Sequence, residues 1–372
     1  MKQQRIACVY DWFDSWGGAE RVLHAIHELY PHADWYSSWV HPSARWAHEL
    51  DPIKTSFLQN IPLVSRSRLL SSPLYPFAFE SFDFTDYDRV ISITSSYAKG
   101  IVTRPETKHI CYMLTPTRFL WEQSGSYLSS SAQLLSSPYL SYLRQWDWLA
   151  GQKPDEIIAI SQTVADRIEQ TYDREAQVIY PPIDRGYWEE TLRSAQAPDM
   201  PFPNSFYLVV SRFKPYKKVE QVIQAFNSMP DKNLIVVGDG SAWATAGLKM
   251  QSGRNTTFMK KLTDEQLAYL YSHAQALIMP QEEDFGYTAI EAQLCGCAVI
   301  AYNKGGATET VTHGVTGYLY DEQSPTGIIE AIEKHTSQAY TIERHLQAGG
   351  VKELQKFDLK TFQSAFSKAV DS

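Results

Sequence analysis

Two glutamates, Glu283 and Glu291, lie on either side of a glycine in the stretch "PQEEDFGYTAIEAQLCGC". A short apolar run precedes this stretch, and a helical pattern begins near Tyr287 or Thr288, so we expect Gly286 to stand just before a helix. The free N–H groups of a first helical turn form an anion site, and such a site suits a diphosphate.

The two carboxylates add hydrogen-bond acceptors to this anion site. Glu291 lies one turn into the predicted helix, where it can accept two hydrogen bonds from a vicinal diol such as a ribose. Glu283 can hold hydroxyls of the group attached to the diphosphate. The plainer alternative makes Glu283 and Asp284 solvated loop acids and Glu291 a surface residue. Because the residues around Glu291 are almost wholly apolar, we expect its carboxylate to be at least half-buried and to have partners.

Two cations follow another predicted strand, in "SRFKPYKK" (211–218). Arg212 leaves the strand and Lys217 begins the next helix. The two can neutralise a diphosphate, the arginine with a planar fork and the lysine as a point charge. Lys218 is expected to be solvated. Basic residues near strand ends are common, so this motif indicates a site only together with the others.

Two glycine motifs also follow predicted strands. Gly238 and Asp239 lie in "GDG", a turn that lets a ligand approach the backbone closely but that is equally compatible with a plain turn. Gly17 and Gly18 lie in "DSWGGAER" and open a helix whose N-terminus can face a phosphate. This second motif is not Gly-x-Gly-x-x-Gly, so we do not expect a nicotinamide cofactor.

These motifs need a scaffold that brings strand ends together. Short β-branched runs alternate with helical patterns along most of the chain, which predicts buried parallel strands. The predicted strands are 5–10, 88–93, 108–113, 156–161, 176–183, 206–213, 233–240, 276–280 and 298–302, and the predicted helices are 19–30, 163–172, 219–229, 264–274, 288–296 and 359–370. The alternation is lost over 185–204, where prolines gather, so we predict two doubly wound α/β domains joined by a linker there. Ligands of open α/β sheets bind outside the carboxyl ends of the strands, where the motifs lie.

The composition argues against several other classes of protein. The chain has 372 residues, enough for two domains, and its formal net charge of -8 disfavours nucleic-acid binding. We find neither a signal peptide nor an apolar run of about 20 residues, and we therefore expect a cytoplasmic protein. The four cysteines lack a disulfide rhythm and are predicted to be core thiols rather than metal ligands.

In their order, the motifs resemble those of a known family. Gly-Gly-Ala-Glu-Arg, Ser-Arg-Phe-x-Pro-Tyr-Lys-Lys, Gly-Asp-Gly and Glu-x-Phe-Gly-Tyr-x-x-x-Glu look like motifs of the retaining GT-B glycosyltransferases of family 4, as do the stretches 157–184 and 305–311. The resemblance covers nearly the whole chain and is closest to the mannosyltransferase-like branch that builds bacterial surface polysaccharides. It implies a GT-B fold, with two Rossmann-like doubly wound domains facing a cleft. These would be an N-terminal acceptor domain (1–195) and a C-terminal nucleotide-sugar domain (200–352), with a last helix (356–372) that packs back on the first domain.

The resemblance also assigns roles to residues. The donor would be a nucleotide sugar, GDP-mannose or a UDP-hexose, as co-substrate and without a further cofactor. The residues assigned to catalysis are Arg212, Lys217 and Glu283, and those assigned to donor binding are Gly17, Gly18, Gly238, Asp239, Phe285, Gly286, Tyr287, Thr288 and Glu291.

One position departs from the family pattern. Many relatives carry His-Thr-Pro in the loop after the fourth N-terminal strand, with the histidine near the reacting sugar, whereas this chain has Leu114 before Thr-Pro. Thr115, Arg118 or a backbone carbonyl would then position the sugar or the acceptor, or catalysis is weaker. Arg118 is the better candidate because a guanidinium offers five donors, although pairing with Glu122 is the structural alternative. His109 is predicted to be structural.

The reaction follows from the residue types. We find no pair of carboxylates placed as nucleophile and acid, so retention is expected to come from same-face attack by the acceptor hydroxyl. Arg212, Lys217 and the helix start at 286–288 would stabilise the leaving phosphate. Since these groups do the work of a metal ion, we expect no metal.

The acceptor, a glycan or a lipid-linked glycan, is expected to contact the first domain. Residues 52–79 contain Lys54, Arg66 and Arg68 and no acidic residue. This segment either contacts a lipid-linked acceptor at the inner face of the membrane, as a peripheral surface, or forms an irregular subdomain with an aromatic core.

The sequence is also compatible with two other functions. A GT-B sugar-nucleotide epimerase would need His and Asp as acid and base, which we do not find. A non-catalytic sugar-nucleotide-binding protein is favoured by Leu114.

Overall fold

The computed structural model describes residues 4–14, 16–50, 52–62, 71–121, 130–347 and 351–372, except for the side chains of 130–137, 338, 340, 347 and 351. The chain divides into two compact units, Met1–Pro182 with Lys360–Ser372, and Ile183–Leu359. The division therefore falls earlier in the chain than the boundary near 195–200 that the sequence suggests.

The first unit is built on a parallel sheet. Its described strands are β1 (Ile6–Tyr10), β2 (Asp34–Ser37), β3 (Ile53–Thr55), β4 (Arg89–Thr94), β5 (Lys108–Met113), β6 (Glu156–Ala159) and β7 (Gln177–Val178), in the order β3-β2-β1-β4-β5-β6-β7. The central strands β1, β4 and β5 are almost fully buried, as expected of strands covered on both faces.

Helices surround this sheet. They span Gly18–Leu29, Tyr75–Glu80, Arg118–Trp121, Ser130–Gly151 and Gln162–Tyr172, with 3-10 turns at Arg45–Leu50, Phe57–Asn60, Ser72–Leu74 and Ala98–Gly100. The C-terminal helix Leu359–Asp371 also packs here. The ring of Tyr112 on β5 lies 5.9 Å from Phe362 and 5.7 Å from Phe366, and the Arg89 guanidinium lies 2.7 Å from the Asp371 carboxylate.

The second unit repeats the architecture with a second parallel sheet. Its described strands are β8 (Tyr207–Val210), β9 (Leu234–Val237), β10 (Thr256–Met259), β11 (Leu277–Met279), β12 (Val299–Tyr302) and β13 (Gly317–Tyr320), in the order β10-β9-β8-β11-β12-β13. Its helices span Arg185–Arg193, Val219–Asn227, Ala242–Gln251, Asp264–His273, Tyr287–Leu294, Ala307–Thr310 and Pro325–Gln347, with 3-10 turns at Pro215–Lys217 and Val351–Phe357.

Half of the predicted linker is in fact a helix. Asp184 caps Arg185–Arg193 by accepting a hydrogen bond from the Tyr187 amide at 2.9 Å. The buried Trp188 of this helix lies 6.2 Å, centroid to centroid, from Tyr271. This apolar contact attaches the helix to the second unit, and the prolines that suggested a linker begin only after it.

Both sheets have a point at which the strand order reverses. In the first unit it lies between β1 and β4, and in the second between β8 and β11. The loops at the carboxyl ends of the strands diverge at such a point, and the resulting crevice is where open α/β sheets bind ligands.

The cysteines lie in the cores, as predicted. Cys8, Cys111, Cys295 and Cys297 are buried free thiols. Burial raises the pKa of Cys111 to about 11 and that of Cys295 to about 12, so both are protonated at neutral pH. Among the described helices, we find none that is both long and apolar enough to cross a bilayer.

Candidate active site

Lys217 and Glu283 meet at the strand-order reversal of the second unit. Lys217 ends the 3-10 turn Pro215–Lys217 after β8 and is only 8% exposed. Glu283 lies in the loop after β11. The Lys217 Nζ donates a hydrogen bond to Glu283 Oε1. The predicted phosphate-binding cation and the predicted sugar-binding carboxylate therefore form an ion pair at the edge where a ligand would bind.

Gln281 adds a second donor to the same carboxylate oxygen. Its side chain is 2% exposed, and its Nε2 donates to Glu283 Oε1 at 2.7 Å. Among the described residues, none makes a hydrogen bond to the Gln281 Oε1, although this oxygen is buried. Gln281 is not among the residues predicted from the sequence, because a single polar residue after Pro280 is typical of the start of an ordinary loop.

The backbone of the Glu283 loop is fixed by a neighbouring glycine pair. The Gly306 amide donates to the Glu283 carbonyl at 2.7 Å. A Cβ on Gly305 would lie 2.4 Å from the Glu283 carbonyl oxygen, and one on Gly306 would lie 2.3 Å from that of Phe285. Only glycine fits this close approach, so the "GG" of 305–311 holds the Glu283 loop.

Gly286 connects this loop to the helix Tyr287–Leu294. Its φ of 92° is in the left-handed region, where glycine is favoured, and it is the N-cap residue. On either side, the buried Phe285 packs 5.1 Å from Tyr287, and the Thr288 hydroxyl contacts the Met279 sulfur at 3.8 Å. Glycine has no side chain with which to cap the helix, and within the first turn the Ala289 amide donates to the Gly286 carbonyl at 3.0 Å.

Glu291 is buried and has a partner, as its apolar surroundings predicted. It is 4% exposed, and the Tyr271 hydroxyl donates to its Oε2 at 3.3 Å. Burial first, and the nearby Glu291 charge second, hold the pKa of Tyr271 well above its ordinary value. The phenol therefore keeps its proton and acts as a donor. Tyr271 is the second residue that sequence analysis missed.

Arg212 and the "GDG" turn lie beside each other. The Phe213 amide donates to the Asp239 carbonyl at 2.8 Å. A Cβ on Gly238 would lie 1.8 Å from the Ser211 carbonyl oxygen. Packing of the two loops thus accounts for glycine at 238, while the side chains of Arg212 and Asp239 are exposed.

The Gly-Gly motif lies in the first unit. Gly17 is the N-cap of the helix Gly18–Leu29 and has extended backbone angles. The anion that the structure places beside this helix start is the chain's own Glu20. Its Oε1 accepts from the Tyr10 hydroxyl at 3.0 Å, and its Oε2 would lie 3.2 Å from a Cβ on Gly17.

The strand-order reversal of the first unit is occupied by Asp11, which follows β1 and is 1% exposed. Its carboxylate accepts hydrogen bonds from the loop after β4, at distances of 2.7 to 2.9 Å, from Thr94 Oγ1 and from the amides of Ser95, Tyr97 and Ala98. These bonds tie the two loops together, so Asp11 has a structural role.

The loop after β5 carries Leu114 and its proposed substitutes. Thr115 is 7% exposed, and its buried hydroxyl has no hydrogen-bond partner in the part of the chain that the structure describes. Arg118 begins the short helix Arg118–Trp121 and is half-buried. Glu122, its alternative partner, lies outside the described residues.

A buried ion pair contacts residues of this loop. Lys99 and Asp147 are 1% and 0% exposed, and the Lys99 Nζ lies 2.6 Å from Asp147 Oδ1. Asp147 also accepts from Thr117 Oγ1 at 2.6 Å, Trp121 Nε1 at 2.8 Å and the Tyr172 hydroxyl at 2.7 Å. Thr117 and Trp121 flank Arg118, so this network positions the turn from which Arg118 extends.

The segment 52–79 is described only in part. Lys54 lies 3.4 Å from the Asp34 carboxylate and donates to the Tyr87 hydroxyl at 3.1 Å, so it takes part in a polar network of the first unit. Arg66 and Arg68, on which the predicted membrane contact also rests, lie outside the described residues. Elsewhere in the described chain, we find no group of three or more His, Cys, Asp or Glu side chains that could hold a metal ion.

Comparison with known proteins gives partial matches along the sequence. Residues 196–347, which include Arg212, Lys217, Glu283 and Glu291, match the model of the family described as "Glycosyl transferases group 1". The D-inositol 3-phosphate glycosyltransferase of Segniliparus rotundus is 30% identical over 188 residues, 46% of this chain and 42% of that protein. The alpha-1,3/1,6-mannosyltransferase ALG2 of Homo sapiens is 35% identical over 111 residues, 30% of this chain and 26% of that protein. The chain thus spans less than half the length of either relative.

Solved structures match over the whole chain. The crystal structure of Anabaena HepE in complex with UDP and glucose has a TM-score of 0.69 and 21% identity, and the match covers 100% of both chains. Together with the two parallel sheets, this likeness shows the GT-B fold, with two Rossmann-like α/β domains.

Proposed function

We propose that this protein is a retaining, metal-independent glycosyltransferase. It moves a hexose from GDP-mannose or a UDP-hexose to a glycan or lipid-linked acceptor in surface polysaccharide synthesis, at the cytoplasmic face of the membrane. The relatives that carry sugar-transferase names, and the neighbour whose crystal structure holds UDP and glucose, support the donor class.

The observation that carries this proposal is the Lys217–Glu283 pair. It lies at the strand-order reversal of the second unit, within the range that matches the glycosyl transferase family. A lysine ammonium has three donor hydrogens, so Lys217 can keep one on Glu283 while the others face a phosphate. Lys217 then contacts the diphosphate and Glu283 contacts the sugar, so the pair binds both parts of the donor.

The reaction in this site breaks the bond between the anomeric carbon and the phosphate oxygen. The acceptor oxygen attacks the same carbon from the same face, and its proton passes to the departing phosphate oxygen. Lys217, Arg212 and the helix start at Gly286 stabilise the charge that grows on the leaving nucleoside diphosphate. Neither glutamate acts as a nucleophile in this scheme, because Glu283 is held by Lys217 and Gln281, and Glu291 by Tyr271.

Glu291 binds the ribose of the donor and keeps the nucleotide in place during transfer. The helix that carries Glu291 also presents its first-turn N–H groups to the phosphates. Thr115 or Arg118 positions the sugar or the acceptor in place of the histidine that many relatives have at position 114.

The test is a transfer assay with a panel of GDP- and UDP-hexoses and a glycan acceptor, with released nucleoside diphosphate as the readout. We expect one donor to give acceptor-dependent release and, by NMR, a product with the anomeric configuration of the donor. The rate should be unchanged in EDTA. Donor binding without release would indicate a non-catalytic binding protein, and recovery of an epimerised donor would indicate an epimerase. An inverted product would contradict retention.

A further inference from the structure

Gln281 lies in the candidate site, and the proposed chemistry gives it no part beyond its hydrogen bond to Glu283. It follows Pro280 at the end of β11, and the Pro280 carbonyl accepts from Gln323 Nε2 at 2.8 Å. The backbone from which Gln281 extends is therefore anchored. The side chain is 2% exposed, so its position is set by packing rather than by solvent.

The amide orientation of Gln281 is dictated by its neighbour. The Nε2 faces Glu283 Oε1 at 2.7 Å, and a flipped amide would set two acceptor oxygens against each other. In this orientation the Gln281 Oε1 is buried, and no residue that the structure describes makes a hydrogen bond to it. A buried unsatisfied acceptor costs stability, and an apolar side chain of the same size would avoid that cost. The chain therefore carries this glutamine at a cost, and what it gains is the hydrogen bond to Glu283.

We propose that Gln281 is the positioning residue of the donor-sugar site, an inference that rests on the proposed function. When a donor is bound, Lys217 is shared with the diphosphate. The Gln281 N–H then keeps Glu283 directed at a hydroxyl of the hexose. Gln281 thus contributes to the recognition of an intact nucleotide sugar over the free nucleoside diphosphate, because only the former carries that hydroxyl.

The test compares dissociation constants by titration calorimetry for the donor identified in the transfer assay and for its nucleoside diphosphate. Gln281→Met fills the same volume without the donor group. We expect it to lower the preference for the nucleotide sugar by about tenfold, while affinity for the nucleoside diphosphate stays within about twofold. Gln293→Met is the matched control. Gln293 is also buried with an unpartnered Oε1, but its Nε2 donates only to the carbonyls of Ala289 and Thr310.

A second variant gives a readout that a merely structural role would not change. In Gln281→Glu, an ionised carboxylate next to Glu283 repels it, whereas the protonated acid can donate a hydrogen bond as the amide does. The sugar preference of this variant should therefore recover as the pH is lowered toward about 5, relative to wild type at the same pH.

An unchanged sugar preference in both variants would overturn the positioning role while leaving the proposed function intact. An equal loss in Gln293→Met would also overturn it, because the effect would then be one of general stability. If the wild-type protein binds no nucleotide sugar of the panel, the proposed function and this inference fail together.

Discussion

Lys217 and Glu283 form an ion pair between the loops after β8 and β11, strands that are neighbours in the sheet although the two residues are far apart in the chain. Both side chains are mostly buried, with 11% and 18% of their surfaces exposed. Removing one partner of a partly buried ion pair costs more than removing one partner of a surface pair, because the remaining charge is poorly solvated. Mutations of Lys217 and Glu283 should therefore distinguish an effect on donor binding from an effect on the transfer step.

The first prediction concerns Lys217→Ala. Charge on the leaving diphosphate grows toward the transition state, so loss of its cation should lower kcat on the order of a hundredfold and donor affinity much less. Steady-state kinetics and donor titration measure the two effects. Lys214→Ala, an exposed lysine of the same loop, is the control and should behave like wild type. A reduced affinity with an unchanged kcat would show that Lys217 only binds the ground state.

The second prediction concerns Glu291 and the Tyr271 hydroxyl that donates to it. If Glu291 binds the ribose diol, wild type should prefer a ribonucleotide donor over its 2′-deoxy analogue, and Glu291→Ala should remove that preference. Tyr271→Phe should weaken donor binding by about 1 kcal/mol, since Glu291 then loses one of its hydrogen bonds. Tyr187→Phe loses a similar bond to Asp264, at 2.5 Å, outside the site, and serves as the control. Equal discrimination by wild type and Glu291→Ala would remove Glu291 from the ribose site.

Much of the fold follows from local pattern. The runs that became β1, β4, β5, β8 and β9 are buried and β-branched, and hydrophobic periodicity identifies such strands directly. Short strands at or next to the sheet edges were missed. β2 (Asp34–Ser37) and β13 (Gly317–Tyr320) hold no β-branched residue, and β3 (Ile53–Thr55) is only three residues long, so pairing with neighbours rather than local pattern makes them strands. The helix Arg185–Arg193 was missed because the prolines that follow it dominated the local pattern.

The residue types of the candidate site can be read from the sequence, but the contacts between these residues cannot. The burial of Glu291 follows from its apolar neighbours, which are local in sequence. The contact between Lys217 and Glu283 depends on which strands are adjacent, and this strand order is a property of the whole sheet. The Lys99–Asp147 contact likewise joins distant parts of the chain, whereas the Gln281–Glu283 hydrogen bond is local in sequence but depends on how the loop after β11 folds.

The third prediction concerns the buried Lys99–Asp147 pair. Asp147→Ala removes a carboxylate that holds Lys99, Thr117, Trp121 and Tyr172. Because it leaves a buried ammonium unpaired, the free energy of unfolding should fall by about 3–5 kcal/mol. Urea denaturation measures the loss. Glu80→Gln disrupts the half-exposed Lys153–Glu80 pair and should cost less than about 1 kcal/mol. Similar losses in the two variants would mean that burial of the Asp147 network does not add to the free energy of unfolding.

The last prediction concerns His109 on β5 and the pH dependence of stability. Its side chain is fully buried, its Nε2 lies 2.8 Å from the Ser92 hydroxyl, and its Nδ1 has no hydrogen-bond partner among the described residues. Burial first, and the Lys153 charge second, lower the pKa of His109 from 6.5 to about 3. The unfolded chain therefore binds a proton between these values that the folded chain does not, so this residue's contribution makes stability fall as the pH drops from about 6.5 toward 3. The slope is at most about 1.4 kcal/mol per pH unit.

His109→Gln keeps a polar group near Ser92 but cannot titrate. The difference in unfolding free energy between wild type and this variant, measured by urea denaturation at pH 7 and pH 5, should shift in favour of the variant at the lower pH. His27 and His335, whose pKa values burial also lowers, contribute equally to both proteins and cancel in this difference. A difference that is the same at both pH values would show that His109 does not titrate on unfolding in this range.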